Sequence, residues 1–258
     1  MDVLTVGRSP ENDIVADLAG MSVDRLKYGV DRLDAIVHCA AAVPGSSVQN
    51  DDAESAGLTE IMDHNVLSLA EQNECDVVYL SGCSLYHRSE PRFLEESDLL
   101  NHDLKSHYLR AKLKGDLAFC GYRRGTVVRV STPVGVGISP KSALGLFIAL
   151  ARENREIKVY GHGKREQDYI DVRDVATLVR KCIQNPQYGA VNAASGKFVT
   201  MADLASLVCK MIGRGSVKLS DVEDPNAGIY SRYSIQRAKK CFDWIPSIQL
   251  PESVGSII

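Results

Sequence analysis

An α/β fold built on a parallel sheet is what this chain of 258 residues predicts, and three observations carry the prediction. Short apolar runs alternate with stretches of helical periodicity, the pattern of strands joined by crossover helices. Two runs, Ala35-Ile36-Val37-His38-Cys39-Ala40-Ala41-Ala42 and Asp76-Val77-Val78-Tyr79-Leu80-Ser81, are largely continuous in apolar residues, as strands buried on both faces are. Small residues close the strands: Ala40-Ala41-Ala42, Ser81-Gly82 and, after a third strand at 126–131, Ser131-Thr132. Ligands of open parallel sheets sit beyond the carboxyl ends of the strands, so small residues repeated at one edge predict a site there.

The elements follow in order. Residues 3–8 read as a short strand ending in Gly7 and Arg8, and 12–18 as a second reaching Asp17 and Leu18. A weak helix is expected over 21–33. A helix over 60–72 places Ile61, Val66, Leu67, Leu69 and Ala70 on its apolar side. A second helix, over 108–120, repeats Tyr108, Ala111, Leu113, Leu117, Ala118 and Phe119 at helical spacing. After Gly137 the character changes. A helix over 143–152 turns Leu144, Phe147, Ile148 and Ala151 to one face, and strands follow at 157–160 and 168–172. Asp171 or Asp174 caps the next helix. A helix from about Thr200 buries Met201, Leu204, Leu207, Val208, Met211 and Ile212 and stops at Gly213. Ser234 reads as the cap of the last region, and another helix begins near Pro251. The division predicted is a nucleotide-binding domain over 1–137, with a strand and helices returning from 138–185, and a smaller substrate lobe over 138–258.

Composition narrows the function. The 45% hydrophobic and 24% charged residues are those of a globular protein. A net charge of −3 leaves no electrostatic footprint for nucleic acid. No apolar run nears the ~20 residues of a membrane span, and no signal peptide is visible. The seven scattered cysteines form no Cys-x-x-Cys pair, which predicts reduced thiols, a cytoplasmic location and no metal site.

The chemistry centres on Tyr108-Leu109-Arg110-Ala111-Lys112. Tyrosine and lysine four residues apart share one helix face. A free phenol titrates near ~10. An ammonium ~4 Å away at an effective dielectric of ~20 contributes ~4 kcal/mol, about three pKa units, which predicts a phenol working as acid and base near neutrality.

Five further segments join this pair in order. They are D-A-I-V-H-C-A-A-A (34–42), V-V-Y-L-S-G-C-S-L-Y (77–86), V-V-R-V-S-T-P-V-G (127–135), V-Y-G-H-G-K-R-E-Q-D-Y-I-D-V-R-D-V-A (159–176) and F-D-W-I-P (242–246). Together with Y-L-R-A-K (108–112) they resemble the extended short-chain dehydrogenase/reductases of the NAD-dependent epimerase/dehydratase branch. The resemblance implies a Rossmann-like doubly wound parallel sheet with a small C-terminal α+β substrate lobe. It implies NAD or NADP as cofactor and a nucleotide-linked sugar as substrate. By resemblance Tyr108 is the acid/base and Lys112 its activator, which also holds the nicotinamide ribose. Ala40, Ala41 and Ala42 line the cofactor, Asn65 stands near the site, and Asp17 and Leu18 flank the adenine. Ser81 sits beside the nicotinamide, Ser131 belongs to the same strand-end row, and Thr132 opens the substrate loop. Arg8 is placed to meet a 2′-phosphate. His38 is left as a packed strand histidine. A homodimer through a four-helix bundle of the helices at 60–72 and 108–120 is also implied.

Three departures qualify the match. No Gly-x-x-Gly-x-x-Gly is present; the first elements resemble the second and third strands of the family, so the opening strand, glycine loop and helix are expected to be absent. The competing reading makes residues 1–7 the first strand, but the next strand follows too closely to leave room for a helix. Gly82 stands where the family has its catalytic hydroxyl; Cys83 or Ser84 is the substitute, Ser84 the better donor by position, for catalysis and for substrate contact. Cys83-Ser84 also argues against the acidic pair of a 4,6-dehydratase. Gln167 stands where an arginine meets the diphosphate, with Arg165 as compensation. An epimerase or reductase is therefore the first expectation. A member that has lost catalysis and serves as a binding or regulatory subunit is the second.

Overall fold

The computed structural model describes residues 2–20, 32–45 and 48–258. Strands β1 (Val6–Gly7), β2 (Ile14–Val15) and β3 (Ala35–His38) precede helix α1 (Ala53–Asn73) and strand β4 (Asp76–Gly82). Helix α2 (His107–Gly121), β5 (Gly125–Val130), β6 (Thr132–Val134), α3 (Ala143–Arg152) and β7 (Glu156–Val159) follow. Next come β8 (Glu166–Gln167), β9 (Tyr169–Asp171), α4 (Val172–Gln184) and β10 (Gly189–Ala193). Last are β11 (Val199–Thr200), α5 (Met201–Ile212), β12 (Ser216–Leu219), α6 (Gln236–Phe242) and α7 (Leu250–Gly255). The largest sheet has the order β10-β5-β4-β3, and β3 runs parallel to β4 with Ala35 opposite Asp76 and His38 opposite Tyr79. This is the predicted α/β class. The weak helix expected over 21–33 falls mostly on 21–31, outside the described residues, and Arg32 and Leu33 are not helical. Among the described residues no helix is long and apolar enough to cross a membrane.

The chain divides into two compact units, one of Met1–Ser81 and His102–Val127, the other of Gly82–Asn101 and Val128–Ile258. In the first, α1 starts seven residues before its expected position because Asp52 caps it, accepting from the Ser55 N–H at 2.8 Å. Helix α2 is capped by Ser106, which accepts from the Leu109 N–H at 3.1 Å. Its buried face is not the one its periodicity implied. Leu117 is 49% exposed and Ala118 is also outside, whereas Lys112, Gly115 and Asp116 are buried with Ala111 and Phe119. The cause is close helix contact. A Cβ at Gly115 would collide with the Asp63 carboxylate of α1 and the Tyr79 hydroxyl of β4, so the side of α2 bearing Gly115 is the one that turns inward. Tyr79 and Phe119 stack there, with ring centroids 4.4 Å apart.

Strand β3 corrects a second expectation. Its sequence reads as buried on both faces, yet Val37 is 39% exposed. The reason is topological: among the described residues β3 is the terminal strand of its sheet. Strands β1 and β2 form a separate parallel pair, with Val6 opposite Ile14 and Gly7 opposite Val15.

In the second unit the helix faces match their periodicity. Leu144, Phe147, Ile148 and Ala151 of α3 pack with Leu204 and Val208 of α5. Thr200 caps α5, and Gly213 ends it in the left-handed region at φ 71°. Asp171 is the side-chain cap of α4, and the adjacent Arg173 guanidinium holds its carboxyl down at about 2. Asp174 is instead buried, accepting from Ser247 N–H and O–H and from Ile248 N–H at 2.9–3.0 Å. Ser234 does not cap α6 as expected. Ile235 holds the cap position, and the Ser234 hydroxyl meets only the Gln236 N–H at 3.4 Å. Helix α7 carries Pro251 in its first turn, as its sequence implied.

Trp244 locks this end of the unit. It is 1% exposed and its indole N–H donates to the Asp174 carbonyl at 3.2 Å. Trp244→Ala is expected to lower the urea-unfolding free energy by about 4 kcal/mol; a loss below about 1 kcal/mol would contradict its place as a core anchor.

Candidate active site

Within the first unit, β4 and helices α1 and α2 bring a set of polar side chains together. Lys112 is 6% exposed and its Nζ donates to the Leu80 carbonyl of β4 at 2.8 Å. The same ammonium lies 3.9 Å from the Tyr79 ring centroid. Burial pulls its pKa down to about 8, while the carboxylates of Asp63 and Asp116 act to raise it. Tyr108 lies one turn earlier on the same face, its N–H donating to Asp51 at 2.7 Å. Burial raises the phenol pKa and the Asp63 carboxylate adds in the same direction.

That raised phenol corrects the sequence expectation of a phenol lowered by its lysine. The physical reason is where the ammonium points: its hydrogen bond and ring contact are to Leu80 and Tyr79. At neutral pH Tyr108 is a protonated acid.

Behind the pair lies a buried network that sequence reading missed. Asp63, 6% exposed, is 2.8 Å from His38 Nε2 and accepts from the Tyr79 hydroxyl at 3.0 Å. Asp116, fully buried, accepts from the Ser81 hydroxyl at 2.6 Å. Ser81 is thus tied down at the end of β4. The signal for Asp116 was its place four residues after Lys112 on one helix face; Asp63 carried none.

The buried lysine makes stability depend on pH. Its folded pKa lies below the 10.5 of the unfolded chain, so between about pH 8 and pH 10.5 the unfolded state holds more protons. Stability therefore rises with pH through that window, by about 3 kcal/mol from this group. Comparing urea unfolding of the protein and of Lys112→Met at pH 7.5 and pH 10 isolates it; parallel pH curves would show no buried ammonium.

Six of the residues predicted to meet a cofactor line one cleft, while Ser81, Tyr108, Lys112 and Ser131 are not in its lining. Arg8, Asp17, Leu18, Ala40, Ala41 and Ala42 line a space of about 240 Å³ at the carboxyl ends of β1, β2 and β3. The Asn65 amide, from α1, donates to the Leu18 carbonyl at 2.8 Å and fixes its rim. The small side chains at 40–42 leave room for a flat group, and Arg8 and Asp17 offer charges at its mouth. The fit is partial: these residues suit the nucleoside end of a dinucleotide. The connection between β1 and β2 holds no glycine after Gly7.

In the second unit two of the predicted substrate residues, Gln167 and Thr132, meet each other. The Gln167 amide donates to the Thr132 hydroxyl. Ser131 donates to Asp168 at 2.7 Å, and Ser195 reaches the same carboxylate through N–H and O–H at 2.9 and 3.0 Å. Burial pushes the Asp168 carboxyl up to about 6 against those hydrogen bonds. Arg165 is paired with Asp224 at 2.8 Å, and Arg232 forms a two-pronged ion pair with Glu166 at 2.6 and 2.8 Å. Gln167, Ser195, Lys197 and Phe198 line a cleft of about 210 Å³, where Lys197 also reaches Gln249 at 2.9 Å. Ser84 stands in the short 3₁₀ turn Cys83–Leu85, away from that cleft's lining. A Cβ built on Gly82 would come within 3.2 Å of its hydroxyl.

Comparison with known proteins gives the family and the fold. The chain is 23% identical over 279 residues to a dTDP-4-dehydro-6-deoxy-D-allose reductase from Streptomyces sp, covering 95% of this chain and 84% of that one. Its fold matches UDP-N-acetylglucosamine 4-epimerase from Bacillus cereus with TM-score 0.81, at 19% identity, over 97% of this chain and 87% of that one. It also matches RMD from Pseudomonas aeruginosa complexed with NADPH, with TM-score 0.77 at 20% identity, over 93% and 85% of the two chains. The family model described as NAD dependent epimerase/dehydratase matches residues 10–194. That span covers most of the chain and includes the Tyr–Lys helix, so the chain belongs to the NAD dependent epimerase/dehydratase family.

Proposed function

We propose that this chain is an NAD(P)-dependent epimerase or reductase of a nucleotide-linked sugar, with Tyr108 as the group that exchanges a proton with a sugar hydroxyl. The observation that carries the reading is that Tyr108 and a buried lysine share one face of α2, one turn apart. The nicotinamide, when bound, supplies the hydride exchange. The chain supplies the rest. Lys112, whose Nζ is held by the Leu80 carbonyl, sits one turn from the phenol and has further N–H groups for a nicotinamide ribose. Asp63 and Asp116 keep that lysine charged at neutrality. Ala40, Ala41 and Ala42 give the cofactor a flat wall, while Asp17 and Leu18 flank the adenine. Asn65, through Leu18, holds that rim in place. Ser81 and Ser131 belong to the same row of strand ends. Arg8, exposed at the cleft mouth, meets a 2′-phosphate and favours NADP.

Substrate recognition falls to Ser84, Thr132 and Gln167. Arg165 is held by Asp224, so Lys197 is the cation that lines the second cleft and meets a diphosphate. A homodimer through α1 and α2 accompanies this reading; Leu58, Ile61 and Leu117, each 38–49% exposed, are the apolar surface it would cover.

A second reading, of an inactive binding subunit, is favoured by the missing hydroxyl at Gly82 and by the raised phenol pKa. Fluorescence titration of the purified chain separates the two. Binding of NADPH below millimolar, tighter than NADH and reduced to NADH strength in Arg8→Ala, supports the enzyme. No binding of either up to millimolar favours the subunit.

A further inference from the structure

Three polar side chains in the core of the first unit take no part in the proton exchange assigned to Tyr108. They are His38 of β3, Asp63 of α1 and Tyr79 of β4, all buried, Tyr79 completely. Apolar residues of similar volume would fill that core without the desolvation cost of a carboxylate, an imidazole and a phenol. Their hydrogen bonds point to a shared task.

A carboxylate only accepts. One Asp63 oxygen accepts from the Tyr79 hydroxyl at 3.0 Å. The other lies 2.8 Å from His38 Nε2, so that nitrogen carries a ring proton and donates. Asp63 is thus fixed from two strands. The Tyr79 ring stacks on Phe119, centroids 4.4 Å apart, and the Lys112 ammonium lies 3.9 Å from its centroid. A phenol that donates to a carboxylate gains electron density at its ring face, and a cation on that face is held more firmly. The next residue of β4, Leu80, takes one ammonium N–H on its carbonyl at 2.8 Å. Ring and carbonyl on one strand therefore set where the ammonium sits and how its other N–H groups point. At Gly115 a Cβ would collide with both Asp63 and Tyr79, so α2 has no room to lift its lysine off the ring. Besides the ring, the titratable groups that face the ammonium among the described residues are Asp63 from α1, Asp116 from its own helix and Cys39 after β3. Asp116 is tied to Ser81 at 2.6 Å. Asp63 is the one tied to the ring on which the ammonium rests.

We propose that His38, Asp63 and Tyr79 are a positioning triad for Lys112. His38 and the Tyr79 hydroxyl lock the Asp63 carboxylate, and the carboxylate and the ring it polarises hold the ammonium charged and in place, one turn from Tyr108. The service to catalysis rests on the proposed function; the seating of the ammonium does not.

The readout is the 13Cε resonance of Lys112 in the lysine-labelled full chain, without cofactor or substrate, assigned by its loss in Lys112→Met. In the unmodified chain it should titrate with a midpoint near 8. Asp63→Asn keeps the shape and removes the charge, and should lower that midpoint by about one unit or more. His38→Leu should act in the same direction, because a buried carboxylate stripped of a donor loses its charge and its fixed orientation. His38→Gln, whose amide N–H reaches the place of Nε2, should restore at least half of that loss. Tyr79→Phe keeps the ring, loses one oxygen, and should lower the midpoint by less than Asp63→Asn does. Urea unfolding is run on every variant; where His38→Leu does not fold, Asp63→Asn and Tyr79→Phe decide. An unmoved midpoint in folded Asp63→Asn or Tyr79→Phe overturns the triad. So does His38→Gln behaving as His38→Leu, because a purely space-filling histidine would give that result. In turnover, the limb of the pH profile that follows Lys112 should move down together with the midpoint. A lowered midpoint in a chain that turns over no nucleotide sugar upholds the triad and counts against the enzyme reading alone.

Discussion

Tyr108→Phe is expected to lower turnover of a nucleotide sugar about 100-fold or more while the thermal midpoint moves by less than about 2 °C. The substitution removes one oxygen and leaves the helix intact. The Ser106 cap and the bond from the Tyr108 N–H to Asp51 both involve backbone groups that phenylalanine keeps. What is lost is the proton. Because burial and Asp63 keep the phenol protonated, the resting site is poised to donate, and steps that need the tyrosine as an acid should suffer first. The assay runs a panel of UDP- and dTDP-sugars with NADH or NADPH. Turnover equal to that of the unmodified chain would remove Tyr108 from the chemistry and leave only the family assignment.

Gly115→Val is expected to be among the most damaging single changes for folding. A Cβ alone would collide with the Asp63 carboxylate and the Tyr79 hydroxyl, and neither can retreat cheaply. Asp63 is already held by His38 and Tyr79 in a buried network, and Tyr79 is clamped between Lys112 and Phe119. Two further methyl groups must push α2 from α1 or break those bonds, at a cost of about 3 kcal/mol or more. Urea unfolding reads it; a loss below about 1 kcal/mol would mean that the two helices are not held at the close approach described. Lys112 should also respond, since a displaced α2 withdraws it from the Leu80 carbonyl.

Helices α3 and α5 could be read residue by residue. The inward face of α3, the cap at Thr200 and the stop at Gly213 depend on periodicity and local backbone preference, which are written in a few neighbouring residues. Helix α2 could not be read that way. Its buried side holds Lys112 and Asp116, and no local rule puts charges inward. They are tolerated because Leu80 and Ser81, distant in sequence, supply partners. Strands β10 and β12 also escaped, being short segments whose identity comes from the strands beside them.

The order of motifs along the chain determined its family, its α/β class and the pairing of a tyrosine with a lysine at a spacing any helix brings to one face. Folding decided the rest: the raised phenol of that tyrosine, the gathering of Arg8, Asp17, Leu18 and Ala40 to Ala42 along one cleft, and the inward side of α2. Motif and spacing are properties of neighbours in sequence. Burial, charge environment and strand order depend on which distant segments meet, and only three-dimensional packing sets those.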